Sequence, residues 1–145
     1  MLGVDPGTRR IGLAVSDADG EIASPHATVA VQGRERAARD VAEAAAKLGV
    51  TKIVVGLPLR LDGGESDSSR RARALAEQLR VLTRLDVVLW DERLSSRAAE
   101  RALREAGVRG DKRKQTVDRV AAALILQSYL DAQRERDGDG DDGEG

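Results

Sequence analysis

Two short runs restrict the fold of this chain more than any other feature: TKIVVG at residues 51–56 and DVVLW at residues 86–90. Neither alternates between apolar and polar residues, as a strand with one wet face does. A continuous apolar run bounded by turn residues is the pattern of a strand buried on both faces. Each run follows a stretch with helical spacing. Residues 34–48 bring Ala38, Val41, Ala42, Ala45 and Leu48 onto one face, with Gly49 as a stop. Residues 67–82, DSSRRARALAEQLRVL, open on acid and hydroxyl side chains suited to a helix start. Buried strands fed by helices imply parallel crossovers on a covered sheet.

The first thirty residues read differently. Residues 1–5 and 11–16 are β-rich and joined by PGTRR; DADG at 17–20 is a turn signal, and residues 21–31 can form a third strand. Turns this short imply an antiparallel meander. Further on, SSRAAERALREAG at 95–107 reads as a helix, VRGDKRK at 108–114 as a basic loop, and residues 115–133 as a last helix. The expected class is α/β, with a mixed five-stranded sheet. An antiparallel meander of three strands is joined to two parallel strands and flanked by helices on both faces.

Composition narrows the chemistry. The 145 residues include no cysteine, no phenylalanine and one each of His, Trp and Tyr. The core must be built from Val, Leu, Ile and Ala. Disulfides, thiolate zinc sites and cysteine nucleophiles are excluded. With His26 alone, a bound metal would take oxygen ligands, which favours Mg²⁺ or Mn²⁺. No run approaches the roughly 18 apolar residues of a membrane span, and no secretory leader pattern opens the chain, so a cytoplasmic protein is expected. Residues 135–145, ERDGDGDDGEG, hold six acids and one base, which leaves residues 1–134 with a net charge of +4. The expected organisation is one domain over residues 1–134 and a disordered acidic tail over 135–145. The tail reads mainly as solubilising; its sharper reading is an electrostatic competitor for a basic substrate channel.

Three carboxylates are placed where chemistry happens in such folds. Asp5 ends the first strand, Glu92 follows the fifth, and Asp118 stands in the first turn of the last helix. Open α/β sheets bind ligands outside the carboxyl ends of their strands. If the first and fifth strands are neighbours, their terminal side chains lie on the order of 5–10 Å apart. Ala121, Ala122 and Ile125 follow Asp118 at helical spacing and turn it toward the sheet. Each acid alone has a structural explanation. Asp5 can shape a turn, Glu92 can pair with Arg93 or Arg97, and Asp118 can favour a helix start. Three at one edge would repel, and a divalent ion removes that cost.

In their order and spacing, DPGTRRIG, VVGLPLRLDG, DERLSS and KQTVDRVAAALILQSYL resemble the RuvX (YqgF) family of Holliday-junction-resolvase-like proteins, also described as nucleases maturing the 5′ end of pre-16S rRNA. The resemblance covers about residues 2–131. It implies a ribonuclease H-like fold and metal-dependent phosphodiester cleavage. It places the catalytic and metal-binding acids at Asp5, Glu92 and Asp118, and matches the arginine of an R-I-G element to Arg10. Arg60 stands where the family often has Asn, and Ser95 where Thr is common. Asp91 is left out of the site, because alternation along a strand points it away from Glu92.

The expected partner is a nucleic acid, pre-rRNA or branched DNA, held through its phosphates; no membrane is expected, and a homodimer is an alternative to a monomer. Arg10, Arg60, Arg93 and the run Lys112, Arg113 and Lys114 are the candidate substrate contacts, with Arg9, Arg97 and Arg109 beside them. Arg70 and Arg71 read as a solvated helix face. With so few aromatics, recognition by stacked bases is disfavoured and shape or junction recognition is preferred. Two other classes were weighed. An actin-like ATPase needs two such domains, and this chain holds one. A non-catalytic RNA-binding module has no use for the acid set.

Overall fold

The computed structural model describes residues 1–95 and 110–144, the stretches 110–115 and 138–144 by their backbone alone. Strands β1 (Leu2–Asp5), β2 (Arg10–Ser16) and β3 (Ala23–Ala30) precede helix α1 (Arg34–Leu48), strand β4 (Lys52–Leu57), helix α2 (Asp67–Thr83), strand β5 (Asp86–Asp91) and helix α3 (Gly110–Glu144). The sheet order is β3-β2-β1-β4-β5. β1–β2 and β2–β3 are antiparallel, whereas β1–β4 and β4–β5 are parallel. The mixed sheet expected from the sequence is therefore present. The helix expected over 95–107 lies outside the described residues, as do Arg97 and Arg109.

The two buried runs explain why both faces are covered. Ile53 and Val55 of β4, with Leu2 and Val4 of β1, join Val41, Ala45, Ala72 and Leu79 in a core beneath α1 and α2. Val54, one residue out of phase, packs on the opposite face with Ala122, Ile125, Leu126 and Tyr129 of α3. Alternation along a strand thus supplies two cores from one apolar run. α2 starts on a reciprocal cap between Ser66 and Ser69 and ends in a left-handed residue, Arg84. The edge strand β3 is mostly exposed, and its register shifts opposite Leu13 and Ala14, where Pro25 interrupts the ladder.

Helix α3 seats unusually close to β2. A β-carbon on Gly12 would stand 1.9 Å from the backbone oxygen of Asp118. Only glycine admits the first turns of α3 at this depth. This contact helps bring Asp118 to the sheet edge where Asp5 ends β1.

α3 is longer than its apolar pattern predicts at both ends. Lys112, Arg113 and Lys114 lie on helical backbone, not in a loop. Lys, Arg and Gln are good helix formers, and Asp111 suits a first turn. The helix also passes Gln133 and continues to Glu144, across the stretch expected to be disordered. Its glycines each cost about 1 kcal/mol relative to alanine, so this extension is propagated from the packed segment rather than favoured by its own residues. Among the described residues no helix is long and apolar enough to cross a membrane.

Candidate active site

The carboxyl edge of the sheet is where β1 delivers Asp5 and β5 delivers Asp91, followed by a 3₁₀ turn over Glu92–Leu94. β1 and β5 are not neighbours. β4 lies between them, which corrects the geometry expected from the sequence. Glu92 nevertheless reaches Asp5, because β4 carries a glycine at the crossing point. A β-carbon on Gly56 would lie 2.6 Å from Glu92 Oε1 and 2.6 Å from Ile125 Cδ1. Gly56 is therefore the notch through which the Glu92 carboxyl passes over the central strand. Sequence reasoning missed it. Its signal was present in KIVVGL, since a glycine inside a buried strand marks a close approach.

The carboxyl groups of Asp5 and Glu92 stand close enough to perturb each other. Two carboxyl groups this close repel when both are ionised, which favours a proton on one of them. Burial, the Glu92 charge and hydrogen bond, and the charge of Asp118 push the Asp5 carboxyl up to about 9. Burial also raises Glu92, and Asp91 adds to this, while the hydrogen bond from Asp5 acts the other way. No arginine or lysine among the described residues forms an ion pair with either acid. Glu92 Oε1 is buried without a hydrogen-bond partner. An unpartnered buried carboxylate oxygen is costly unless something else occupies it.

Asp118 faces the sheet as its helical neighbours predicted, with Ala122 and Ile125 buried beneath it. Its carboxylate accepts from Arg10 Nε at 2.7 Å. Arg10 is thus bound to an acid of the site, where a substrate phosphate was expected. Asp118 lies close enough to raise Asp5 electrostatically, yet among the described residues no three His, Cys, Asp or Glu side chains are gathered to hold one ion. The structure therefore brings Asp5 and Glu92 together and holds Asp118 beside them on Arg10.

These donors fit a hard divalent cation in part. Asp5 and Glu92 supply carboxylate oxygens, one of them unspent, in a pocket whose charge nothing nearby neutralises. Asp118 commits one oxygen, Oδ2, to Arg10.

The remaining predicted contacts divide. Arg93 is drawn onto Asp91 at 2.6 Å and donates to the Leu61 carbonyl at 3.3 Å, strapping the 58–66 loop to the end of β5. Arg93 holds Asp91 below the usual carboxylate range. Asp91 also caps the 3₁₀ turn and stands apart from the pair, in accord with its exclusion. Arg60 forms a loose, exposed pair with Asp62 at 3.6 Å, an arrangement of little energetic weight. The side chains of Lys112, Arg113 and Lys114 lie outside the described residues. Trp90 and Tyr129 pack edge to face at 5.4 Å, and Trp90 donates to Ser128, so neither is offered to a base.

Comparison with known proteins bears on the family and the fold. The family described as "RuvX: Holliday junction resolvase" matches residues 1–132. A protein of Chloroflexus aggregans named "Putative pre-16S rRNA nuclease" is 42% identical, over 92% of this chain and 94% of its own. One of Leifsonia xyli with the same name is 46% identical, over 92% of this chain and 86% of its own. Among solved structures, the RuvC of T. thermophilus in complex with a Holliday junction substrate superimposes with a TM-score of 0.59. It shares 16% identity over 91% of this chain and 94% of its own. Fowlpox virus resolvase, in complex with Holliday junction DNA, gives 0.55 at 13% identity, over 92% and 99% of the two chains. At such identities these two likenesses establish the fold, which is ribonuclease H-like. The match along almost the whole chain, at over 40% identity to its relatives, makes this protein a member of the RuvX family of Holliday-junction-resolvase-like nucleases.

Proposed function

We propose that the protein is a divalent-metal-dependent nuclease that hydrolyses a phosphodiester of pre-16S rRNA near its 5′ end, in the cytoplasm. The observation that carries this reading is the half-buried Asp5–Glu92 pair, with Glu92 Oε1 buried and unpartnered. Asp5, Glu92 and, after release from Arg10, Asp118 are the residues that would hold Mg²⁺ or Mn²⁺. When bound, such an ion supplies a water of lowered pKa and neutralises charge on the phosphate. A proton held by either Asp5 or Glu92 has to leave before both can act as ligands. Gly56 keeps Glu92 in reach of Asp5. Arg10 carries the charge that Asp118 surrenders, and once released it is placed to meet a phosphate oxygen.

The substrate assignment rests on the names of relatives that are over 40% identical. A second reading, a resolvase of branched DNA, is favoured by the family description. A four-way junction is two-fold symmetric, so this reading calls for a homodimer. Cleavage of a pre-16S 5′ fragment and of a four-way DNA junction, side by side with Mn²⁺ and with EDTA, tests both. The proposal expects metal-dependent cutting of the RNA in preference to the junction. Cutting that persists in excess EDTA contradicts the metal mechanism, and preference for the junction selects the second reading.

A further inference from the structure

The turn that follows Asp5 has a second surface. On the α1–α2 side of the sheet, Pro6, Gly7 and Thr8 close one end of a cavity of about 290 Å³. That is near the lower end of small-ligand sites, roughly 300–1,000 Å³. Its floor is apolar, with Ile11 and Leu75 nearly fully buried. Its charged lining consists of Arg34 and Arg71, with no carboxylate.

The electrostatics of α2 single out Arg71. Along this helix Arg70 is paired with Asp67, Arg73 with Glu65 and Arg80 with Glu77. Arg71, between the first two, donates only to the Ser68 hydroxyl at 3.0 Å. Arg34 forms no ion pair among the described residues. Among the described residues, two guanidinium groups without a carboxylate partner therefore face one cavity. They are rigid, always charged and geometrically suited to a phosphate. The apolar floor suits the flat face of a base, which tolerates aliphatic walls. Two residues, Pro6 and Gly7, lie between Asp5 and Thr8, a span of at most about 11 Å, within reach of neighbouring nucleotides on one strand.

We propose that this cavity receives one nucleotide unit of the substrate strand, adjacent to the phosphodiester presented to Asp5 and Glu92. Its phosphate lies on Arg34 and Arg71 and its base against Ile11 and Leu75. The proposal rests on the nuclease reading for its biological meaning, but its binding chemistry does not need metal.

The full-length protein in EDTA is titrated with uridine 5′-monophosphate, uridine and inorganic phosphate, and backbone amide shifts are followed. The monophosphate is expected to move Thr8 and Ala74 and to bind about tenfold more tightly than either fragment. Arg71→Ala should weaken it about tenfold, the worth of one charge-assisted contact. Ala74→Trp, a change at an exposed cavity wall, should block it while the spectrum stays folded. In cleavage, Arg71→Ala should raise KM more than it lowers kcat. Equal binding by wild type and both variants overturns the proposal. So does inorganic phosphate binding as tightly as the nucleotide, which would leave an anion site without a base. Asp5→Asn should keep the binding. Wild-type protein that binds the nucleotide here yet cuts nothing would overturn the nuclease reading and leave this site standing. Active enzyme that never binds the nucleotide here would do the reverse.

Discussion

Asp118 and the Asp5–Glu92 pair share one sheet edge, and their surroundings are opposite. Asp118 lies against Arg10 at 2.7 Å, and its charge is compensated. Among the described residues no cation pairs with Asp5 or Glu92, and both are pushed toward the protonated form. The contrast is sharper still between Asp91 and Glu92, consecutive in the chain. Asp91 turns out to Arg93 and is shifted down, while Glu92 turns in and is shifted up. Charged company, as much as burial, decides which acid stays ionised. An uncompensated buried pair weakens the free protein and gains affinity for any cation that can reach it. A paired acid does neither until its partner moves.

The largest expected effect comes from removing this difference. Asp5→Asn should lower cleavage at least about 100-fold, the usual scale for one lost electrostatic contact to a transition state. The metal-free protein should melt no lower, because repulsion and desolvation are both relieved. Cleavage retained within a few-fold by Asp5→Asn would remove the pair from the chemistry.

Next comes the notch. Gly56→Ala should displace Glu92 and lower cleavage about 10- to 100-fold. Its stability loss should be modest, because the added carbon meets the movable ends of Glu92 and Ile125. Gly12→Ala meets backbone instead and should destabilise more, by about 1–3 kcal/mol or above. Denaturant melts and initial rates on both variants separate a site effect from a fold effect. If Gly56→Ala loses only stability and keeps its rate per folded molecule, Glu92 does not depend on that gap.

The pair also predicts a pH dependence. An Asp ordinarily titrating at 3.8 is pushed to about 9 in the fold. Between those values the folded state holds more protons than the unfolded one. The stability of the metal-free protein should therefore be full below about pH 4 and fall as pH rises toward 9. In Asp5→Asn that decline should flatten. A wild-type stability that rises across this window would mean the proton is not there.

The smallest effect belongs to the compensated region. Arg10→Ala should cost about 1–2 kcal/mol, the weight of a charged hydrogen bond in a half-buried site. If it costs nothing in a urea melt, Asp118 finds another partner and Arg10 is free for substrate from the start.

Much of this arrangement was legible in the residues. The apolar runs located β4 and β5, and the spacing of Ala38, Val41 and Ala45 placed α1 over residues 34–48. The apolar followers of Asp118 gave its face correctly. Strand order was not legible, because a run such as IVV fits any central position in a parallel sheet. The passage of Glu92 over β4 was hidden for the same reason, since the meaning of Gly56 depends on what crosses it. The pairing of Arg10 with Asp118 was not legible either, because a cation beside an acid and a cation beside a phosphate have the same local sequence. The start of α3 was set by helix formers in DKRKQ that a charge count reads as a loop.

The central claim is that Asp5 and Glu92 form a seat for a divalent cation. It is tested most directly by melting wild type and Asp5→Asn at pH 8, with and without Mn²⁺. The wild-type midpoint should rise with Mn²⁺ and go on rising with the logarithm of its concentration once the site is filled. Asp5→Asn should melt no lower than wild type without the ion and gain nothing from adding it. An equal Mn²⁺ shift in both proteins would contradict the account.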